Sequence, residues 1–442
     1  MKVWGGLVVR LARCEILIRF PMSPILFLTS GTRGDVQPII PLAQKLQADG
    51  HAVRIAAPPA FRELVEARGI PFAPVDGNPS DLMIANSGEI ALTFDGNPIR
   101  SARASLNYLR EAQAVYAHML TNAWEVCQDA SALVIGLPTL WGTSIAEKLN
   151  IPCVGAFLQP LTPTREFPCP VLPSARSWGG AYNRLSYSIA GLATFLPWRK
   201  VINDWRGRAL GLKPLPISGP LPHPFGRIDL NLYGFSAQVL PCPRDWDAAS
   251  LITGYWPLVT NDPLEAALEA FLQAGPPPVY FGFGSPGAYQ PNQIFEMVAL
   301  AAQHTDMRAV IALPKGAQVT RPPAHIHLLR EAVPHDSLFP RLAGAVHHGG
   351  AGTTGAALLA GIPSLVTPVA VDQFFWGARV SALGVGPGPI PQRALGVENL
   401  AQGLGRMKGE RMKEAARQLG ERLRREDGVG QAARALEELL NR

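Results

Sequence analysis

The chain has 442 residues, 47% of them apolar, 17% charged and 8% aromatic, with a formal net charge of +6. That length exceeds what one hydrophobic core serves, so two domains are expected, and the composition is that of an ordinary water-soluble globular protein. The modest charge, with no Lys/Arg block interleaved with aromatics, argues against nucleic acid, and five scattered Cys without a CxxC argue against a disulfide framework and a zinc site. A reducing, cytoplasmic setting is the expectation.

Residues 1–21 are apolar but broken by Arg10, Arg13, Glu15 and Arg19, which excludes a plain membrane span and a clean signal-peptide core. They read as an extension outside the fold, with a membrane-contacting arm as the second reading. From Met22 the pattern becomes strand, Gly-rich turn, helix, strand, helix. Ile25 to Thr29 is a buried-strand run, Ser30 to Asp35 the turn, and Pro38 starts a helix that stops near Gly50. Strands at Ala52 to Ala57 and Phe72 to Val75 bracket a helix from Phe61 to Arg68. Such alternation predicts a parallel sheet covered by helices on both faces, with ligands gathering beyond the C-terminal strand ends, where Thr32, Gly34 and Asp35 lie.

Residues 77–180 are less regular, with a helix over 102–127, a strand at Leu133 to Ile135, a helix near Thr143 to Leu149 and a strand at Val154 to Phe157. A Pro-rich loop follows, Pro160 to Pro173, and then a long helical stretch, Tyr182 to Leu210, whose Trp198 and Trp205 read as core aromatics before ligand contacts. Seven Pro between Pro214 and Pro243 mark a linker around a strand near Leu230 to Tyr233. The second alternating region is expected to begin with a strand at Leu251 to Tyr255. It continues through a helix at Pro263 to Gln273, strands at Pro278 to Phe283, Arg308 to Leu313 and Ile326 to Leu329, and two further helices at Pro291 to His304 and Asp336 to Leu342. Charged amphipathic helices from Arg406 to Arg425 and Gln431 to Leu440 close the chain. The expected architecture is α/β: two doubly wound domains facing across a cleft. Residues 22–238 form the acceptor-binding unit and 239–442 the nucleotide-sugar unit, with the last helix returning to the first.

The densest chemistry lies in Val346 to Gln373, VHHGGAGTTGAALLAGIPSLVTPVAVDQ. A strand delivers two His to a turn of Gly349, Gly350 and Gly352, after which Thr353 and Thr354 are expected to open a helix closed by Gly361. Bare amides at a helix N-terminus are an anion site, with phosphate the usual anion. Core histidines on a Gly-rich turn would be the bland alternative, but the coincidence with Asp372-Gln373 after the next strand favours a diphosphate site.

HHGGAGTT, the later DQFFWGARVSALGVGPGPIP, GFGS at Gly282 to Ser285, VPHD at Val333 to Asp336 and SGTRGDVQPIIPLA near the start resemble the nucleotide-sugar-dependent glycosyltransferases of the GT-B fold. The group in question holds the sterol glucosyltransferases and the antibiotic-tailoring enzymes. The resemblance runs from Met22 to about Leu440. It implies two Rossmann-like domains and an inverting transfer of a hexose, glucose from UDP being the first expectation, to a hydroxyl of a hydrophobic acceptor such as a sterol, another lipid or a natural product. It implies Asp35 as catalytic base and His347, His348, Gly350, Gly352 and Thr353 as diphosphate contacts. Thr32, Gly34 and Ser285 would touch phosphate from the opposite side, Asp372 and Gln373 would hold the sugar hydroxyls, and the backbone of Val333 would read the base. No cofactor and no metal are implied, and peripheral membrane contact is compatible with a lipid acceptor. Ser337 stands where many relatives carry an aromatic, and Pro286 where an unbranched apolar residue is frequent.

The sequence also admits four competing readings. Gly282 to Gly287 fits GxGxxG after a strand, the mark of an NAD-dependent oxidoreductase, but the next strand ends in Pro314-Lys315 with no acidic residue for a ribose. Asp245-Trp246-Asp247 fits a metal-binding DxD but sits in a Pro-rich loop. A nucleotide-sugar epimerase shares the two-domain shape without an acceptor pocket, and a non-catalytic sugar-nucleotide binder would lack Asp35.

Overall fold

The computed structural model describes residues 9–11, 14–16, 23–78, 98–172, 176–216, 226–260, 262–284, 291–313, 319 and 322–442; for 98–109 it describes the backbone helix alone. Ser285, Pro286 and Gly287, the last three positions of the GxGxxG pattern, and most of the 1–21 extension therefore lie outside the described residues. Within that extension β1 (Val9–Leu11) and β2 (Cys14–Ile16) pair antiparallel and join neither of the two large sheets.

The first large sheet has seven strands in the order β5-β4-β3-β6-β7-β8-β9, every neighbour parallel. They are β3 (Ile25–Leu28), β4 (Val53–Ala57), β5 (Phe72–Pro74), β6 (Ala132–Ile135), β7 (Cys153–Phe157), β8 (Leu230–Tyr233) and β9 (Ser250–Ile252). Along β3, Ile25 and Phe27 enter one hydrophobic cluster and Leu26 and Leu28 another on the opposite face. This is why the run is continuously apolar: both faces are covered. The 238/239 boundary read from the sequence cuts this sheet before its last strand. The strand expected near Leu251 to Tyr255 is β9, shorter and paired as the edge strand to β8 of the first sheet, and the Pro-rich segment before it carries the inner strand β8 rather than acting only as a linker.

The second sheet has the order β12-β11-β10-β13-β14, again all parallel. It comprises β10 (Val279–Gly282), β11 (Ala309–Ala312), β12 (Ile326–Leu329), β13 (Gly344–His347) and β14 (Ser364–Val366). In both sheets the strand order reverses beside the first strand of the unit, at β3/β6 and at β10/β13. The crevices beyond those C-terminal ends are where such sheets take ligands, and they face each other.

The two units share an apolar seam. Phe157, Tyr233, Phe235 and Val239 of the first cluster with Val366, Phe375, Trp376 and Leu419 of the second, and Arg379 Nη2 donates to the Val239 carbonyl at 2.6 Å. The last helix, Gly428–Leu440, lies on the helix Ile39–Ala48 of the first unit, burying Ala432, Ala433 and Leu436 in that unit's core. Trp198 stacks on Tyr116 at 4.5 Å and Trp205 meets Trp141 edge-on at 6.0 Å, so both are packing residues.

Candidate active site

The turn after β3 is built around Asp35. Gly31 takes φ +100, and the chain enters a single helical turn, Arg33–Val36, capped by Thr32. Residues 33–36, expected in the sequence as part of an open turn, are thus helical, and Asp35 stands at its third position. The Thr32 N–H and hydroxyl both donate to Asp35 Oδ2, at 2.8 and 3.0 Å, so the third-position carboxylate caps the helix start. Thr32, implied as a phosphate contact, is here engaged with the Asp35 carboxylate, while Gly34 lies exposed beside it. Buried Asn78 holds the turn from behind, donating to the Gly31 carbonyl at 2.9 Å and accepting from its N–H at 3.2 Å. Burial raises the Asp35 carboxyl above its ordinary value, against the pull of the Thr32 bonds.

On the facing unit, β10 runs into Gly284 (φ +77) and β13 into His347. His347 is fully enclosed, its Nδ1 accepting from the Gly349 N–H at 3.1 Å while Nε2 has no partner among the described residues. Burial, then the neighbouring His348 and His335, push its pKa down to about 3, so it is neutral. His348 is the half-exposed member of the pair. Its ring lies between Gly284 and Gly350, where added Cβ atoms would sit 3.0 Å from its Cγ and Nδ1 and 2.6 Å from its Nε2. Those two glycines therefore clear the space that seats this imidazole at the crevice, where the two-strand switch point meets the next helix.

That helix, Ala351–Ala360, starts earlier than the sequence suggested: Gly350 is its N-cap, no side chain caps it, and Thr353 and Thr354 lie inside the first turn. Thr354 is buried, Thr353 is half-exposed and Gly352 is exposed with open space where a Cβ would be. The uncapped first-turn amides are the orphan donors of a helix terminus, electrically suited to an anion. Beside them His335 stacks on Phe339 at 4.3 Å. Burial, then the charge of Arg33 from the opposite unit, lowers its pKa to about 4. Val333, in the loop leading to His335, packs its side chain on the cluster below the crevice, and Ser337 donates to the Asp262 carbonyl at 3.1 Å.

The loop after β14 supplies the third part. Thr367 N–H donates to the His347 carbonyl at 2.8 Å, tying the loop to the strand. Gln373 Oε1 accepts from the N–H groups of Val369 and Ala370, at 2.7 and 3.2 Å. The Gln373 carbonyl is thus spent on the loop, which leaves its amide nitrogen for other work. Asp372 precedes the helix Gln373–Ala382 and is 8% exposed. Its Oδ2 accepts from Trp376 Nε1 at 3.2 Å and, across the cleft, from Gln159 Nε2 at 2.9 Å. Burial raises Asp372 to about 6, opposed by those two bonds and assisted by the charge of Asp35 on the other unit. The Gln159 bond spans the two units, so the cleft is closed beside Asp372, and the charge of Asp35 acts on it from the facing side.

Gln159, His335 and Arg33 were missed in the sequence. Gln159 lies just past the C-terminal end of β7, which was a usable signal. Nothing local foretold its partner. The DxD carboxylates are occupied elsewhere: Asp245 accepts from Thr164 Oγ1 at 2.6 Å and the Arg165 N–H at 2.9 Å, and Asp247 from the Ala249 N–H at 3.0 Å. Among the described residues no group of three His, Cys, Asp or Glu side chains could hold a metal.

Two facing doubly wound units, a half-buried carboxylate at one switch point and an uncapped helix terminus at the other define the GT-B class of nucleotide-sugar-dependent glycosyltransferases. The fold is shared with solved structures: the calicheamicin glycosyltransferase CalG4 superposes with TM-score 0.67 over 96% of this chain and 99% of that one, at 17% identity. SsfS6 of Streptomyces sp. SF2575, complexed with thymidine diphosphate, does so with TM-score 0.60 over 94% and 99%, at 18% identity. Residues 25–168 match the Glycosyltransferase family 28 N-terminal domain, and residues 296–437 the Erythromycin biosynthesis protein CIII-like, C-terminal domain. The chain belongs to the glycosyltransferase family that includes the sterol 3-beta-glucosyltransferases. It is 35% identical to Sterol 3-beta-glucosyltransferase UGT80B1 of Arabidopsis thaliana, over 94% of this chain and 68% of that protein. With the Sterol 3-beta-glucosyltransferase of Emericella nidulans it shares 36% identity over 96% of its own length, spanning only 30% of that longer protein.

Proposed function

We propose that the protein is an inverting glycosyltransferase that moves a hexose, glucose first among candidates, from a UDP-sugar to a hydroxyl of a hydrophobic acceptor such as a sterol. The observation that carries this reading is the apposition of Asp35 and Asp372 across the closed cleft, beside an uncapped helix terminus. A carboxylate held by Thr32 can take the acceptor's hydroxyl proton as its oxygen attacks C1 of the sugar. The C1–O bond to the diphosphate breaks on the opposite face, and the electron pair leaves with the diphosphate. The first-turn amides of Ala351–Ala360 stabilise that departing charge, with Gly350, Gly352 and Thr353 lining the terminus. His348 is the imidazole placed to reach the phosphates; His347 supports it from within the sheet. Asp372 Oδ1 and the Gln373 amide remain for the sugar hydroxyls, and the Val333 backbone for the base. The thymidine diphosphate bound by SsfS6 supports a nucleoside diphosphate at this place, and the names of the sterol enzymes support a lipid-like acceptor.

Trp178, Leu185, Ile189 and Leu196 are large apolar side chains 47–69% exposed, and the last three fall on one side of the helix Gly180–Phe195 and its extension. This stripe suits contact with a lipid surface that carries the acceptor; Leu185→Ser with Ile189→Ser should reduce co-sedimentation with anionic vesicles. Burial pushes the thiols of Cys127 and Cys169 up to about 12, which keeps them unreactive and suits a cytoplasmic setting. The test of the activity is a screen of UDP- and TDP-sugars against hydrophobic alcohols, including sterols, reading released nucleotide, with Asp35→Asn as control. Release of no nucleotide with any pair would sink the proposal.

A further inference from the structure

The cross-cleft bond between Gln159 and Asp372 has no role in the transfer as described so far. Gln159 is two residues beyond β7 and precedes Pro160, whose ring restricts Gln159 to extended backbone. The loop is then pinned by Thr162, whose N–H donates to the Tyr233 hydroxyl at 2.7 Å, whose own hydroxyl lies 2.8 Å from Ser250 Oγ, and whose carbonyl accepts from Trp246 Nε1 at 3.0 Å. Gln159 is thus presented by a rigid part of the first unit. On the opposite side Trp376, 2% exposed and edge-on to Phe235 at 5.5 Å, fixes the other donor to the same oxygen.

Both donors fall on Oδ2 of Asp372, one from each unit. The plane of the carboxylate is therefore set jointly, and Oδ1 carries neither of these two bonds. If the units separate, Gln159 is withdrawn and Trp376 alone remains, leaving the carboxylate free to rotate about a single donor. A hydroxyl recognised by Oδ1 is then held well only in the closed cleft, so sugar recognition is coupled to closure through one amide.

We infer that Gln159 is a positioning residue for the donor sugar, orienting Asp372 from the acceptor-side unit. This rests on the reading that Asp372 holds sugar hydroxyls. It predicts an effect on the sugar and none on the nucleotide, because Gln159 reaches the donor only through Asp372.

The experiment is a cycle of Gln159→Leu, Asp372→Asn and the double variant, with calorimetric Kd for UDP and UDP-glucose, TDP and TDP-glucose in parallel, and donor KM and kcat. Gln159→Leu should weaken the sugar nucleotide about five- to tenfold, the net size of an ordinary hydrogen bond, and leave UDP or TDP within about twofold. Donor KM should rise more than kcat falls, and in the Asp372→Asn background Gln159→Leu should add less than about twofold, the sign of a shared pathway. Gln159→Asn, shorter by one methylene, gives an intermediate loss and serves if the leucine variant is unstable. An unchanged sugar-nucleotide affinity in Gln159→Leu with a weakened one in Asp372→Asn overturns the inference alone. Equal loss of UDP and UDP-glucose overturns it too, since that is general loosening of the cleft. Unchanged affinity in Asp372→Asn overturns the sugar-site reading and the inference with it.

Discussion

A Cβ built on Gly31 would lie 2.6 Å from Oδ2 of Asp35 and 3.1 Å from its Cγ. Gly31 also takes φ +100, a region that a side chain enters only with strain. The glycine serves Asp35 twice: it lets the chain turn off β3, and it leaves room for the carboxylate to reach Thr32. Gly31→Ala should cost about 1–3 kcal/mol of stability, read by urea unfolding. It should also cut kcat more than the stability loss explains, because the displaced carboxylate loses its Thr32 bonds. Wild-type kcat in a folded Gly31→Ala protein would show that Asp35 needs no such placement.

Asp35→Asn should lower kcat by ~10²–10⁴, the usual worth of a positioned general base, with the Kd for the sugar nucleotide unchanged. The acid limb of the pH–rate profile carries a further signature. Burial raises the Asp35 carboxyl above its ordinary 3.8, so activity should rise with pH through a midpoint above that value. Thr32→Val deletes a hydroxyl that stabilises the charged form, so it should move this midpoint further up. A midpoint that does not respond to Thr32→Val would assign the limb to another group.

The sheets were legible because their strands are buried on both faces and so read as unbroken apolar runs: Ile25 to Leu28 and Val279 to Gly282 needed no tertiary knowledge. The Gly-rich strand-to-helix turn at Gly349 to Gly352 was legible because glycines and a strand end are a local pattern. Other features were hidden for physical reasons. The helix Gln373–Ala382 is rich in aromatics that face the seam between units, which blurs its periodicity. The helix Val397–Met407 contains Gly403 and Gly405, where local propensity argues against a helix and tertiary packing overrides it. Gly403 is needed there, as a Cβ would meet Leu365 at 2.7 Å. His347 ends β13 and His348 is the first residue beyond it, so which of the two is enclosed depends on the strands and turns around them rather than on local alternation. Gln159 and Asp372 are 213 positions apart and meet only because the two units dock.

Asp372→Asn should stabilise the protein at neutral pH while weakening the donor. Burial raises this carboxyl to about 6 from 3.8, so the folded protein holds the proton more tightly than the unfolded chain. Stability therefore falls as pH rises from about 4 to about 6, and the full penalty, on the order of 3 kcal/mol, stands above that window. The asparagine keeps an acceptor for Trp376 and Gln159 without a charge to bury. Its unfolding midpoint should exceed wild type at pH 7.5, with the gain shrinking to nothing by about pH 4. A gain independent of pH would mean that charge burial is not its source.

Val371 holds φ +47 while 49% exposed, an uncommon state for a β-branched residue. The strain is imposed from both sides. Gln373 Oε1 fixes the N–H groups of Val369 and Ala370 before it, and Asp372, locked by Trp376 and Gln159, fixes the chain after it. A left-handed residue costs on the order of 1–3 kcal/mol and persists only where its surroundings over-determine it. Glycine accepts that φ freely but loses more entropy on folding, by roughly 0.5–1 kcal/mol, so relief should exceed the loss. Val371→Gly is expected to raise Tm, and Val371→Ala, which retains a Cβ, to raise it less or not at all. The same freedom loosens the loop that aims Asp372, so donor KM should increase in Val371→Gly. A lower Tm for Val371→Gly than for wild type would show that the valine side chain contributes packing that outweighs its backbone strain.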